Sequence, residues 1–109
     1  MSRSVFYLPE AEEGFQQLSR QQILRVMKAI EKVCQNPLPQ SEGGYGKPLG
    51  HKRGINLTGL FKIKLKNDGI RVVYSLIRTE SQMLVVVIGL HEDEEVYEIA
   101  QKRAQKHRL

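Results

Sequence analysis

The sequence predicts an α+β domain in the order β-α-α-β-β-β-α, with a helical hairpin packed on a mostly antiparallel sheet and a short C-terminal helix. Three observations carry that prediction. Residues 60–77 (LFKIKLKNDGIRVVYSLI) alternate apolar and polar side chains about a turn. Residues 83–90 (MLVVVIGL) are apolar without alternation, and the segments at 19–34 and beyond 92 repeat at helical spacing. A chain of 109 residues supports one core, and neither repeats nor a linker divide it, so residues 1–109 form a single domain.

The elements follow in order. Val5, Phe6, Tyr7 and Leu8 read as a short first strand. Pro9 suits a first helical turn, and Glu10, Glu12 and Glu13 complement the positive end of the helix dipole; this helix ends near Leu18. Ser19 with Gln22 forms a capping box that opens a second helix. Ile23, Met27, Ile30 and Cys34, flanked by Val26 and Val33, make its apolar stripe, and Asn36-Pro37 and Pro39 end it. Residues 40–54 carry glycines at 43, 44, 46, 50 and 54 and no periodicity, so they read as a mobile loop.

In the hairpin that follows, strand alternation sends Phe61, Ile63 and Leu65 one way and Lys62, Lys64 and Lys66 the other. Asn67-Asp68-Gly69 supplies the turn. A two- or four-residue loop pairs Lys66 with Arg71, Leu65 with Val72 and Ile63 with Tyr74, placing Lys62, Lys64, Lys66 and Arg71 on one face; a three-residue loop would put Arg71 on the other. The apolar run at 83–90 reads as an interior strand covered on both faces. The last helix starts near Glu92, with acids at its head and Lys102, Arg103, Lys106 and Arg108 near its end, both favourable to its dipole. Val96, Ile99 and Ala100 face the sheet.

Charge is placed rather than spread. Residues 47–71 hold Lys47, Lys52, Arg53, Lys62, Lys64, Lys66 and Arg71 against the single acid Asp68, a local +6 in a chain of net +5. The remainder is therefore slightly acidic, and the cations form a patch of the kind that binds phosphates. One cysteine excludes an internal disulfide and fits a reducing cytoplasm. The first residues turn acidic before any long apolar stretch, unlike a signal peptide, and the run at 83–90 is too short to span a bilayer. The expected location is cytoplasmic, with no membrane partner.

Three segments in order, FKIKLK before the turn, GIRVVY after it, and VY in the last helix, resemble the RelE branch of the RelE/ParE superfamily of bacterial toxins. The resemblance is strongest over 60–103. It implies a RelE-like microbial ribonuclease-type fold and the toxin of a type II toxin–antitoxin pair, which cleaves messenger RNA in the decoding site of the ribosome and inhibits translation. It implies as partners an antitoxin encoded beside it, the ribosome and mRNA. By position it puts Lys62 and Lys64 on the family's paired active-site lysines, Arg71 on the arginine that stabilises the scissile phosphate, and Tyr97 on the tyrosine that contacts or stacks on the substrate base. Where the family pattern has a basic G-K-R-x-R run, this chain has Gly89-Leu90-His91-Glu92-Asp93, so His91 stands at the arginine proposed to protonate the leaving group.

The chemistry is consistent with those residue types. Metal-independent RNA cleavage needs a base for the 2′-hydroxyl, cations for the charge developing on phosphorus and an acid for the 5′-oxygen, giving a 2′,3′-cyclic phosphate. Lys64, assisted by Lys62, suits the base or electrostatic role, Arg71 the phosphate clamp and His91 the acid. Each has a plainer reading: a solvated strand edge for the lysines, a surface residue at a helix entry for His91, simple packing for Tyr97. Lys47, Lys52, Arg53 and Lys66 are candidate contacts to RNA or ribosome, Lys66 as a peripheral one. Two rival readings stand beside it, a ParE-like toxin that inhibits DNA gyrase without nuclease activity and a basic module that only binds nucleic acid. Gly46-Lys47-Pro48 is no phosphate-binding loop, and Cys34 with His51, His91 and His107 lacks metal-ligand spacing, so no cofactor or metal is expected.

Overall fold

The computed structural model describes residues 4–77 and 82–109; the first three residues of the segment weighed against a leader lie outside it. Strand β1 (Ser4–Tyr7) leads into helix α1 (Pro9–Glu13), a 3-10 turn (Gly14–Gln17) and helix α2 (Arg20–Cys34). Then come a 3-10 turn (Gln40–Glu42), strands β2 (Lys47–Lys52), β3 (Ile55–Leu65), β4 (Ile70–Ile77) and β5 (Gln82–Gly89), and helix α3 (Asp93–His107). The sheet order is β1-β5-β4-β3-β2. Only the β1–β5 pair is parallel; the others are antiparallel, as the α+β prediction requires.

Local signals explain most boundaries. The capping box forms: Ser19 Oγ accepts from the Gln22 amide at 3.2 Å, and Gln22 Oε1 accepts from the Ser19 amide at 2.9 Å. The buried stripe of α2 is Val26, Ile30, Val33 and Cys34, whereas Met27 is exposed. The expected stripe is thus rotated: the contact with the sheet follows the spacing that starts at Val26, leaving Met27 and Leu24 on the outer shoulder.

The segment expected to be a mobile loop is instead ordered, and it adds a fifth strand. Residues 47–52 pair antiparallel with β3, and the chain reverses at Arg53-Gly54, both with positive φ. Residues 36–46 are tied back by the Tyr45 amide to the Asn36 carbonyl (2.9 Å) and the Gly46 amide to the Leu38 carbonyl (2.9 Å). An edge strand with one buried residue, Leu49, and a register shift between Pro48 and Gly50 has no period to read.

The β3–β4 register also differs from the expected one. Leu65 pairs with Ile70, Lys64 with Arg71, Ile63 with Val72 and Phe61 with Tyr74, because Lys66–Asp68 forms a 3-10 turn closed by Gly69 at φ 66°. The shift is two residues, so the faces are preserved while Lys66 leaves the strand. Interior β4 is buried on both sides, with Val72, Val73 and Tyr74 fully covered, and β5 likewise through 85–87. The hairpin of α1 and α2 covers one face; Val96 and Ala100 of α3 seal the other.

Candidate functional site

Directly opposed residues on neighbouring strands share a face. Lys47 lies opposite Lys62 across β2 and β3, and Lys64, Arg71 and Gly89 form the next row across β3, β4 and β5. Four cations therefore occupy the face on which α3 begins. The first turn of α3 carries Asp93, Glu94 and Glu95, and all three carboxylates reach cationic or imidazole side chains.

Arg71 is the most constrained of the set. Its Nε donates to Asp93 Oδ1 at 2.6 Å, its NH1 donates to the His91 carbonyl at 2.7 Å and to the Gly69 carbonyl at 3.3 Å, and its side chain is 13% exposed. Burial works to raise the Asp93 carboxyl, but the Arg71 hydrogen bond and the charges of Lys62, Arg71 and Lys64 outweigh it, holding the carboxyl below its ordinary value.

Lys62 is half-buried. Its Nζ donates to the Tyr97 hydroxyl at 3.3 Å and lies 5.8 Å from the centre of that ring. Tyr97 is itself only 8% exposed and its hydroxyl accepts from Lys62, so the side chain expected to contact or stack on a base is largely covered. Lys64 is exposed beside them.

His91 precedes α3 and folds back over the sheet. Its Nδ1 is 3.1 Å from Glu95 Oε1. Its ring fills the space a side chain on Gly89 would take: a Cβ built there would stand 2.6 Å from His91 Cδ2 and 2.9 Å from Nε2. Gly89 is the third member of the Lys64–Arg71 row, so the glycine seats the imidazole on the cationic face.

The remaining candidates scatter. Lys47 stays beside Lys62. Lys52 and Arg53 sit at the β2–β3 turn, where Arg53 pairs with Glu94. Lys66, placed by the expected register on the cationic face, lies in the β3–β4 turn near Asn67, Asp68, Arg25 and Lys28. There Arg25 grips Asp68 through Nε (2.8 Å) and NH2 (2.6 Å). Among the described residues, no group of three or more His, Cys, Asp or Glu side chains is placed to hold a metal. No helix among them is long and apolar enough to cross a membrane.

Sequence reasoning missed Asp93 and Glu95 as partners of the site. The spacing of His91 and Glu95 was a usable signal for one; the Asp93–Arg71 contact joins residues 22 apart and had none.

No protein-family model matches the chain. It is 30% identical over 103 residues, 94% of this chain and 98% of the other, to an Escherichia coli protein described as a RelE-like toxin. Its fold matches an arginine-to-alanine mutant of the E. coli toxin RelE in the free state, with a TM-score of 0.72 and 25% identity over 94% of this chain and 98% of that one. The intact E. coli RelBE toxin–antitoxin complex contains a similar fold, with a TM-score of 0.65 and 21% identity over 84% and 99% of the two chains. With such a relative aligned along nearly its whole length and the same architecture beneath it, the chain belongs to the RelE-like family of toxins.

Proposed function

We propose that this chain is the toxin of a type II toxin–antitoxin pair and acts as a metal-independent, ribosome-dependent endoribonuclease on messenger RNA. The observation that carries the reading is the gathering of Lys62, Lys64, Arg71 and the His91 ring at one end of the sheet, around the start of α3. In this scheme Lys64, with Lys62 and Tyr97 beside it, receives the proton of the attacking 2′-hydroxyl or stabilises the resulting charge. The 2′-oxygen bonds to phosphorus, Arg71 neutralises the phosphorane, and the bond to the 5′-oxygen breaks as His91 Nε2 gives that oxygen a proton. The products are a 2′,3′-cyclic phosphate and a 5′-hydroxyl.

Glu95 at Nδ1 fixes the ring so that Nε2 is the nitrogen on the cationic face. Lys47, Lys52 and Arg53 extend the positive surface along β2 and guide the ribonucleotide chain or ribosomal RNA. The partner that silences the toxin is an antitoxin encoded beside it, in keeping with the E. coli relative solved as a RelBE toxin–antitoxin complex.

Induction in cells with parallel mapping of mRNA ends and DNA breaks tests the reading. Codon-phased mRNA ends are the expected result; gyrase-linked DNA breaks without them would establish the ParE-like alternative instead.

A further inference from the structure

Tyr45 stands out beside α2 because it is a large aromatic left 48% exposed. It is not a loose side chain. Its backbone is fixed by its own amide to the Asn36 carbonyl (2.9 Å) and by the next amide, Gly46, to the Leu38 carbonyl (2.9 Å). The Nζ of Lys32 on α2 lies 5.6 Å from the centre of its ring, a cation–π contact. Tyr45 lines a cleft of about 330 Å³ between α2 and the end of β3, whose walls also include Lys32, Val33, Lys47, Lys62, Ile63 and Lys64. The cleft thus joins an anchored aromatic surface to two of the lysines placed in the chemistry. A stacked base needs an accessible π-face, with cations nearby for the phosphates on either side. Tyr97 cannot provide that face while it is buried with its hydroxyl on Lys62.

We propose that this cleft is a nucleobase subsite, in which a base of single-stranded RNA next to the scissile phosphate stacks on Tyr45 while Lys32 and Lys47 hold the flanking phosphates. The proposal takes its ligand from the ribonuclease reading above, but it concerns binding and is measured without cleavage.

The chain contains no tryptophan, so Tyr45→Trp creates a single fluorescent reporter. The probe is a short single-stranded 2′-O-methyl RNA, which binds but cannot be cut because its attacking hydroxyl is blocked. Quenching of the Tyr45→Trp emission on titration is expected. Tyr45→Ala should bind the same RNA about tenfold or more weakly with an unchanged salt slope, since stacking releases no counterions, while Tyr45→Phe binds as the parent does. Lys32→Ala and Lys47→Ala should each lower the salt slope by about one. Tyr45 is exposed, and circular dichroism of each variant confirms that the fold persists.

Equal affinity of Tyr45→Ala and the parent, absence of quenching, or failure of the parent to bind the probe at low salt would each overturn the subsite. Quenching only on addition of the antitoxin would assign the cleft to a protein partner instead. A chain that binds through Tyr45 but leaves mRNA intact on ribosomes defeats the ribonuclease reading alone; one that cuts mRNA and ignores Tyr45→Ala defeats this inference alone.

Discussion

Arg71 and Asp93 form a 2.6 Å ion pair from the middle of the sheet to the first residue of α3, and the same guanidinium holds the His91 carbonyl at 2.7 Å. The arginine assigned to the scissile phosphate is therefore already occupied by a carboxylate. A bound phosphate must compete with Asp93 or share the guanidinium with it.

That competition makes Asp93→Asn informative. The substitution keeps a hydrogen-bond acceptor near Arg71 and removes a negative charge from a face built of cations. RNA should bind several-fold more tightly at low salt, with the gain fading as ionic strength rises. Folding should weaken by about 1–2 kcal/mol, because an acid is lost both from the positive end of a helix and from its hydrogen-bonded pair with Arg71. Salt-dependent RNA titration with urea unfolding reads both. Unchanged affinity at every salt concentration would mean that Asp93 does not compete for the site.

Lys64→Ala should slow mRNA cleavage on programmed ribosomes by about a hundredfold or more while leaving stability nearly unchanged, since its side chain is exposed. Arg71→Ala should slow it comparably and also lower the unfolding midpoint, because Arg71 ties α3 to the sheet through Asp93 and His91. Full cleavage in both folded variants would refute the assigned roles.

Gly89 provides a test of His91 that leaves the histidine itself unsubstituted. A Cβ at 89 would meet the ring at 2.6 Å, so Gly89→Ala must turn His91 off the cationic row. Cleavage should fall toward the level of His91→Ala, and adding His91→Ala to Gly89→Ala should cost little more, because both changes remove the same interaction. Additive losses measured on ribosomes would show that the seat of the ring is irrelevant to the reaction.

How much of this was legible depended on the range of each interaction. The capping box at Ser19–Gln22, the head of α3 and the alternation of Phe61 to Lys66 are local patterns, and each is present in the structure apart from the position of Lys66. Hairpin register depends on how the turn closes, and a 3-10 turn at Lys66–Asp68 moved the pairing by two residues without changing faces. Strand β2 escaped because it lies at the sheet edge, buries only Leu49 and shifts register between Pro48 and Gly50, so its hydrogen bonds to β3, not its side chains, define it. The cationic face was visible as a run of lysines. Its pairing with Asp93, Glu94 and Glu95 was not, because those contacts form only when α3 folds back onto the sheet.

Order in residues 37–46 has an identifiable anchor. The hydroxyl of fully buried Tyr74 donates to the Pro37 carbonyl at 2.9 Å, and its ring stacks on Phe61 at 5.1 Å. Tyr74→Phe keeps the stack but strands a buried carbonyl, which should destabilise the fold by about 1–3 kcal/mol. Gly46→Ala should act on the same joint, since its Cβ would stand 2.7 Å from both the Pro37 carbonyl oxygen and the Tyr74 hydroxyl. Urea unfolding measures both, and stability equal to the parent in Tyr74→Phe would show that the bond contributes nothing.

The far end of α3 is fastened by a second charged joint that gives the fold a pH dependence. Glu10, in the first turn of α1, accepts from Lys106 Nζ at 3.1 Å, and His107 Nε2 lies 3.0 and 3.2 Å from its two oxygens. The bond with His107, its own backbone hydrogen bond and the bond from Lys106 draw the Glu10 carboxyl down from an ordinary 4.5 to about 2. A carboxyl lowered by folding stabilises the native state fully above its unfolded value, and that contribution disappears as pH falls toward its folded value. The window therefore runs from about pH 5 down to about pH 2. Glu10→Gln should reduce stability at neutral pH and flatten the loss across that window, because the group responsible for it is gone. Amide exchange in the last turn of α3 should quicken in the variant even at neutral pH, since the helix end has lost its tie to α1. Urea midpoints measured from pH 7 to pH 2 decide the matter: curves for variant and parent that stay parallel throughout would show that Glu10 does not couple α3 to the proton.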